Sequence, residues 1–396
     1  MIAIIGGGLA GCCVALELAR HGVRSKLFEA NATLMNEASR WNEVKLHLGF
    51  VYGNDPSLRT ARSMIEGSVE FCPILEELLG IEIDETWLSK PFEYGVPHTS
   101  MLNVEAIEAH FSAVQGMFNE MTSSKARPFG KAHTPGAVER KHSLAGYNED
   151  EIAAAFTTPE VAVDPHLIAE AVIGAVRSSP QIEVIHGVAI ARVGCGDGGA
   201  EFEDSQGNRH SGFKHIVNCS WRSLLALDRS IGLERGGNWL YRYKYALHVP
   251  NAPALEIPSA TFTLGPFGDI VTFSDGQLYL SWYPSCRTEI TDGERPEESR
   301  TALCPDQNVA MVRESLRALN SFVPGLPVSL CEEDVAVNGG WILGAGTADI
   351  DKAESGLHRR HDGGLSSGGG YHSFYSAKYA IIPLLAKRFV ETRFVT

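Results

Sequence analysis

At 396 residues, with 44% hydrophobic and 21% charged side chains, the chain is long enough for two domains or one elaborated α/β unit of ordinary globular composition. Its formal net charge of −14 argues against nucleic acid or an anionic membrane as the main partner, yet leaves room for a small anionic substrate held by a local cation. The eight cysteines are scattered, with no C-x-x-C pair and no zinc spacing, so the expectation is no metal and the reduced thiols of a cytoplasmic protein.

The apolar N-terminus has no basic flank and reads as a strand rather than a signal peptide, and no stretch is long enough to span a bilayer. Residues 2–5 run into Gly6, Gly8 and Gly11 at G-x-G-x-x-G spacing. A helical pattern (Cys12, Ala15, Leu16, Leu18, Ala19) stops at His21-Gly22, and a second strand over 23–28 ends on Glu29. Strand, glycine turn, helix, strand and acid together make a dinucleotide unit. Gly6 permits the tight turn, Gly8 lets backbone approach a pyrophosphate, and Gly11 lets the helix close on the strand. The helix start at Leu9 and Ala10 offers free N–H groups to the anion, and Glu29, followed by Ala30, can take ribose hydroxyls.

Residues 39–52 alternate polar, aromatic and glycine residues and place His47 between two leucines. Asp55 and Pro56 read as cap and first residue of a helix carrying Leu58, Ala61, Ile65 and Cys72, broken or restarted by Pro73 and ending near Gly80. Residues 81–158 are too many for a single βα connection. Strands around Trp87, Phe92 and Tyr94, and a helix with Ile107, Phe111, Val114 and Phe118 on one face, read as part of a second domain.

The α/β pattern returns at 159, where Asp164-Pro165 caps a helix. Strands follow at 182–187 and 188–190, then an antiparallel ribbon around 201–207 and a buried strand over 215–219 leading into Ser220-Trp221. From 236 to 330 the pattern is an antiparallel sheet. One strand alternates Tyr241, Tyr243, Tyr245, Leu247 and Val249 against Arg242, Lys244, Ala246 and His248. Ser274-Asp275-Gly276 reads as a hairpin turn, and a helix carries Val312, Leu316 and Leu319. The chain closes with a strand over 333–344, a glycine-rich stretch, and a helix from about Ser376 to Glu391. The expected organisation is a discontinuous nucleotide domain (1–80, 159–235, 331–396) and a second domain (81–158, 236–330).

The longer pattern Gly6, Gly8, Gly11, Ala15, Leu18, Ala19, Gly22 and Glu29, at the extreme N-terminus ahead of a discontinuous second domain, resembles an FAD-binding unit rather than an NAD-binding one. Five further blocks resemble runs of the D-amino-acid oxidase superfamily, which includes glycine and sarcosine oxidases and L-2-hydroxyglutarate dehydrogenases. They are Asn42, His47 and Gly49 in NEVKLHLG; DPSLR at 55–59; VDP at 163–165; VNCSW at 217–221, which lacks the glycine usual there; and Tyr375-Ser376-Ala377-Lys378 followed by Pro383-Leu384. The resemblance implies an α/β fold, a glutathione-reductase-like Rossmann-type FAD domain with an antiparallel-sheet α+β substrate domain. It implies non-covalent FAD contacted by Gly6, Gly8, Leu9, Ala10, Gly11, Glu29, Ala30, Arg40, Trp41, Asn42, Val188, Cys219, Ser220, Trp221 and residues 375–378. It further implies hydride transfer to flavin from a carbon bearing OH or NH.

For that chemistry His47 is the acid/base candidate. Lys378 and the N–H groups of Tyr375 to Lys378 are expected at the flavin pyrimidine, where negative charge develops. A 2-hydroxy acid or amino acid needs a carboxylate clamp, preferably arginine. Arg242, Lys244, Tyr245, Tyr283 and Arg287, with Tyr371, are the candidates, and Arg242 and Tyr283 join His47 and Lys378 in the expected catalytic set. Which face of 241–249 lines the site stays open. The loop His358-Arg359-Arg360-His361 either closes over an anionic substrate or is solvated. Oxygen or another carrier is the expected electron acceptor. The alternatives are a tailoring oxidase or monooxygenase acting on a sugar or natural-product intermediate, and a nucleotide-binding scaffold with an inactive flavin site.

Overall fold

The computed structural model describes every residue except 126, 127, 132, 197, 198, 253–255, 293–295, 297–302, 327–331, 362, 377 and 396. The first strand, Ile2–Ile5, sits between Ser25–Glu29 and His215–Asn218, parallel to both. Ile182–His186 and Tyr371–Tyr375 extend this sheet in parallel, and Gly364–Gly368 adds an antiparallel edge. Its strands are apolar on both faces because both are covered. Ile2, Ile4, Leu27 and Val217 join the core that holds the helices Leu9–Arg20, Pro165–Ser178 and Ile382–Phe394. Ala3, Ile5, Phe28 and Ile216 pack on the other side against Val193, Phe202 and Phe213 of a three-stranded antiparallel ribbon.

The second sheet is larger and mostly antiparallel. Along its path lie Arg287–Thr291, Trp239–Val249, Leu278–Trp282, Gly268–Thr272, Ser259–Phe262, Phe92–Pro97, Ile152–Thr157 and Glu139–Arg140. Tyr245, Leu247 and Val249 pack under it against Leu316 and Leu319 of the helix Pro305–Phe322. The expected hairpin joins Gly268–Thr272 to Leu278–Trp282, with Gly276 at φ 89°.

Three expectations change. The strand Ala336–Ala345 was placed with the nucleotide domain, but it pairs with Trp239–Val249 from Trp239↔Ala345 to His248↔Ala336. Trp341 and Leu343 bury beside Tyr241, and glycine is required at 339, where a Cβ would sit 2.5 Å from the Lys244 carbonyl oxygen. The helix Arg59–Leu79 runs through Pro73 without a break, and it starts after Asp55 and Pro56 rather than at them. Leu58 turns into the left-handed region (φ 54°), and Asp55 still serves the helix start, its Oδ2 accepting the Thr60 N–H at 3.0 Å. Finally, Lys378 precedes the closing helix: Tyr379–Ile381 is a 3-10 turn and the α-helix is Ile382–Phe394. Pro383 sits in the first turn of this helix, where its missing N–H costs nothing. No helix among the described residues is long and apolar enough to cross a membrane.

Candidate active site

A cavity of about 370 Å³ has its walls on both sheets and on the segment Asn36–Tyr52 between them. At one end it meets the glycine turn. Gly6 has φ 99°, and a Cβ there would come 2.7 Å from the Cys219 carbonyl oxygen; at Gly11 it would come 1.9 Å from the Gly6 carbonyl oxygen. Backbone therefore lies against backbone at the helix entry. The cap residue Gly8 brings no side-chain acceptor, and the Leu9 N–H is taken by Ser39 Oγ at 3.0 Å. Glu29 stands on the wall. Its Oε2 accepts the Gly7 N–H at 2.6 Å, and its Oε1 accepts the Asn31 N–H and Nδ2 at 2.7 and 2.9 Å. A carboxylate has about four lone-pair sites, so acceptor capacity remains for ribose hydroxyls. A bare helix entry, a close backbone turn and an oriented acid fit the ADP end of FAD.

The other end is polar and crowded with charge. Gly49 (φ 112°) turns the chain where a Cβ would strike Ala61 at 2.5 Å. The turn is held from both sides: the Ser68 hydroxyl donates to the His47 carbonyl at 2.7 Å, and the Leu48 N–H donates to Glu160 at 2.6 Å. Glu160 is fully buried and forms a 3.2 Å ion pair with Lys45, whose ammonium also donates to Tyr94 and Thr261. His47 Nε2 lies 3.0 Å from Lys378 Nζ and 3.9 Å from Glu43. Burial, then the Lys378 charge, pushes His47 down to about 4, so the ring is neutral. Burial, with Arg360 and Lys244 nearby, pushes Lys378 down to about 8 against the pull of Glu43. Burial opposes ionisation of Glu43, but His47, Lys244 and Lys378 outweigh it and hold its carboxyl well below the usual range. Arg242 Nη1 donates to the Tyr283 hydroxyl at 2.8 Å and to Asp349 at 3.0 Å, while its Nε and Nη2 are buried without partners. His47 Nδ1 and the Tyr52 hydroxyl are likewise buried and unpaired on this wall.

The cavity therefore gathers Gly6, Gly8, Leu9, Ala10, Glu29, Ala30, Trp41, Asn42, His47, Val188, Cys219, Ser220, Trp221, Arg242, Lys244, Tyr283, Ser376 and Lys378. On Trp239–Val249 it is the Arg242 and Lys244 face that lines the site. Other expected residues lie elsewhere. Tyr245 is on the opposite face, in the core beneath the sheet. Tyr371 points to the far side of the parallel sheet, where it is bonded to Asn218 and Asp228. The Arg40 guanidinium turns away to pair with Glu170. Arg287 pairs with Asp349 behind Arg242. Tyr375 stacks at 5.8 Å on Trp221 rather than reaching the wall, and Ala377 lies outside the described residues. Strand alternation accounts for Tyr245 and Tyr371, because a neighbouring position on a strand faces the opposite side. Sequence reasoning missed Glu43, Lys45, Tyr52 and Asp269 on the wall, and left Arg360 in a loop that either closes over a substrate or is solvated. For Glu43 and Lys45 a signal was present, because they precede His47 at two-residue spacing and all three reach the wall. Tyr52 and Asp269 carried none; Asp269 comes from a distant strand.

Residues 1–354 match the family described as FAD dependent oxidoreductase (DAO). An FAD-dependent monooxygenase of Fusarium mangiferae is 26% identical over 305 residues, 76% of this chain and 68% of that protein. Among solved structures, glycine oxidase of Geobacillus kaustophilus superposes with TM-score 0.69 at 16% identity, covering 98% of this chain and 93% of its own. Iminodiacetate oxidase of Chelativorans sp. gives 0.64 at 15% over 99% and 94%. L-α-glycerophosphate oxidase of Mycoplasma pneumoniae, solved with FAD bound, gives 0.64 at 14% over 98% and 93%. At these identities the structural likeness speaks for the fold.

Proposed function

Since the chain belongs to the DAO family of FAD-dependent oxidoreductases, we propose that it oxidises a carbon bearing OH or NH in a small carboxylate, a 2-hydroxy acid or an amino acid. The observation that carries this reading is the open edge of Arg242. Two buried, unpaired N–H donors of a guanidinium that is tethered through its other nitrogen suit the two oxygens of a carboxylate. Asp349 and Tyr283 hold the guanidinium in place from behind.

FAD, when bound, supplies the two-electron acceptor for hydride from the substrate carbon. The chain must then remove the proton of the OH or NH group. His47 alone is a poor base, because while Lys378 is an ammonium it donates to Nε2 and leaves the ring proton on Nδ1. When Lys378 is neutral, Nε2–H can face Nζ, and Nδ1 becomes the acceptor. His47 Nδ1 then takes the substrate proton while Nε2 passes its own to Lys378, leaving a neutral imidazole and an ammonium. Lys378, brought down to about 8, is the member that changes state near neutrality. Lys244 and Glu43 flank the pair and set its field.

Anaerobic bleaching of the bound flavin by a panel of hydroxy acids, amino acids and amines tests the substrate class. Bleaching by one of the acids and not by its amide supports it, and no bleaching across the panel refutes it. Oxygen consumption during turnover separates oxidase from dehydrogenase. The Fusarium relative favours a second reading, a monooxygenase. That reading requires oxygen incorporation into product and consumption of a nicotinamide reductant, neither of which the first reading produces.

A further inference from the structure

We propose that Tyr52 and Arg360 belong to the substrate site and, with the open edge of Arg242, form a cradle for a single carboxylate group. This rests on the reading that Arg242 anchors the substrate, and it adds two residues from segments other than the strand carrying Arg242.

Tyr52 ends the 3-10 turn Phe50–Tyr52 that follows Gly49. It is 5% exposed and lines the cavity, and its buried hydroxyl has no hydrogen-bond partner among the described residues. Leaving a buried hydroxyl unpaired is costly, about 1–3 kcal/mol, and such a group is explained when a ligand completes it. Burial raises its pKa, with Glu160 and Glu43 adding to the rise, while Arg360 and Arg242 pull it down. The group is therefore a neutral O–H beside two guanidinium charges, with the Lys378 ammonium 5.9 Å from its ring. Its proton lacks an acceptor, and a carboxylate held by the two guanidinium groups would supply one.

Arg360 reaches the same place from the loop after Ala336–Ala345. Its backbone N–H donates to Thr60 Oγ1 at 3.0 Å, and its Nε donates to the Leu357 carbonyl at 3.2 Å, which sets the direction of the guanidinium. Gly344 shows the convergence. A Cβ placed there would lie 3.5 Å from Arg242 Nη2 and 3.5 Å from Arg360 Nη1, so the two nitrogens stand at most twice that distance apart. Asp349 offsets part of this charge but contacts Arg242 only through Nη1. Two guanidinium ends, one with an unfilled two-donor edge, and an unfilled hydroxyl match the planar, two-oxygen geometry of a carboxylate.

The test uses the flavin-loaded enzyme, with acetate and its neutral isostere acetamide as probes. Binding is read by perturbation of the flavin spectrum and by calorimetry. Tyr52→Phe and Arg360→Met should each weaken acetate binding about tenfold or more, the loss expected for a hydrogen bond to a charged group. Arg360→Lys should recover part of it. Acetamide binding, flavin content and the unfolding midpoint should stay as in the wild type. Wild-type acetate affinity in both variants, or equal losses for acetate and acetamide, overturns the cradle. Tighter binding of methylphosphonate than of acetate overturns the carboxylate assignment. Arg242→Met separates the two readings: if it alone loses acetate, the Arg242 anchor stands and the cradle fails, and if it keeps acetate, the anchor itself fails.

Discussion

Lys378 and His47 lie 331 positions apart in sequence, with nitrogens 3.0 Å apart. Neither residue by itself shows which one titrates near neutrality; their mutual burial and charge decide it. If proton removal runs through the pair, kcat/KM should rise with pH through about 8. Lys378→Arg keeps the cation and so locks His47 in the Nδ1–H form. It should cost roughly 100-fold and remove that rise, whereas Lys378→Met should lose rate but follow His47 alone. A pH–rate profile of both variants decides between them, and an unchanged rise in Lys378→Arg would contradict the relay. The pair also affects stability. Both groups have lowered pKa values when folded, so the unfolded chain binds their protons more tightly and stability must rise with pH across each interval. The intervals run from about 4 to 6.5 for His47 and from about 8 to 10.5 for Lys378. Lys378→Met should flatten the upper rise in thermal unfolding measured between pH 8 and 10. Asp349, held ionised by Arg242, Tyr283 and Arg287 despite its burial, orients Arg242 without reaching the cavity wall. Asp349→Asn should therefore raise KM for an acid substrate about tenfold while moving kcat little, which steady-state kinetics would read.

At the scale of elements, glycines set how closely backbone meets backbone. Gly11 was readable as a helix–strand contact from the G-x-G-x-x-G spacing, and the structure supplies the reason: its missing Cβ leaves room for the Gly6 carbonyl oxygen. Gly11→Ala must displace the helix Leu9–Arg20 and should yield protein with less than a tenth of the flavin, measured as the FAD to protein ratio. Gly49→Ala combines a left-handed backbone with a clash against Ala61. It should lower stability by about 2 kcal/mol or more and misplace His47, while Gly22→Ala, whose Cβ would meet nothing, should show only the backbone cost. The starts of the helices Arg59–Leu79 and Ile382–Phe394 were placed too early in the sequence reading. Asp-Pro and Ser-Ala-Lys are fair start signals, but a left-handed Leu58 and Pro383 moved each boundary onward.

For the whole molecule, the net charge of −14 coexists with a reaction end lined by Lys45, Arg242, Lys244, Arg360 and Lys378 against Glu43 and Asp269. Because the cavity draws walls from both sheets, FAD should hold them together. At a concentration 1,000 times its dissociation constant it adds about 4 kcal/mol, enough to raise the unfolding midpoint by several degrees. Calorimetry of apo and flavin-loaded protein measures this, and equal midpoints would place the cofactor outside this cavity.

The N-terminal dinucleotide unit, the alternation of α/β and antiparallel segments, and the covered faces of the parallel strands were all legible from spacing and period. Those are local properties, set by backbone sterics and by which side of an element is apolar. Part of the site was legible where its residues sit at two-residue spacing, as Glu43, Lys45 and His47 do and as Arg242 and Lys244 do on Trp239–Val249. The tertiary structure alone decided that Arg242 rather than Tyr245 faces the cavity, that Ala336–Ala345 joins the second sheet, and that Tyr52, Arg360, Asp269 and Lys378 meet. Such meetings depend on strand register and on how segments hundreds of residues apart pack, and single-chain periodicity carries no record of either.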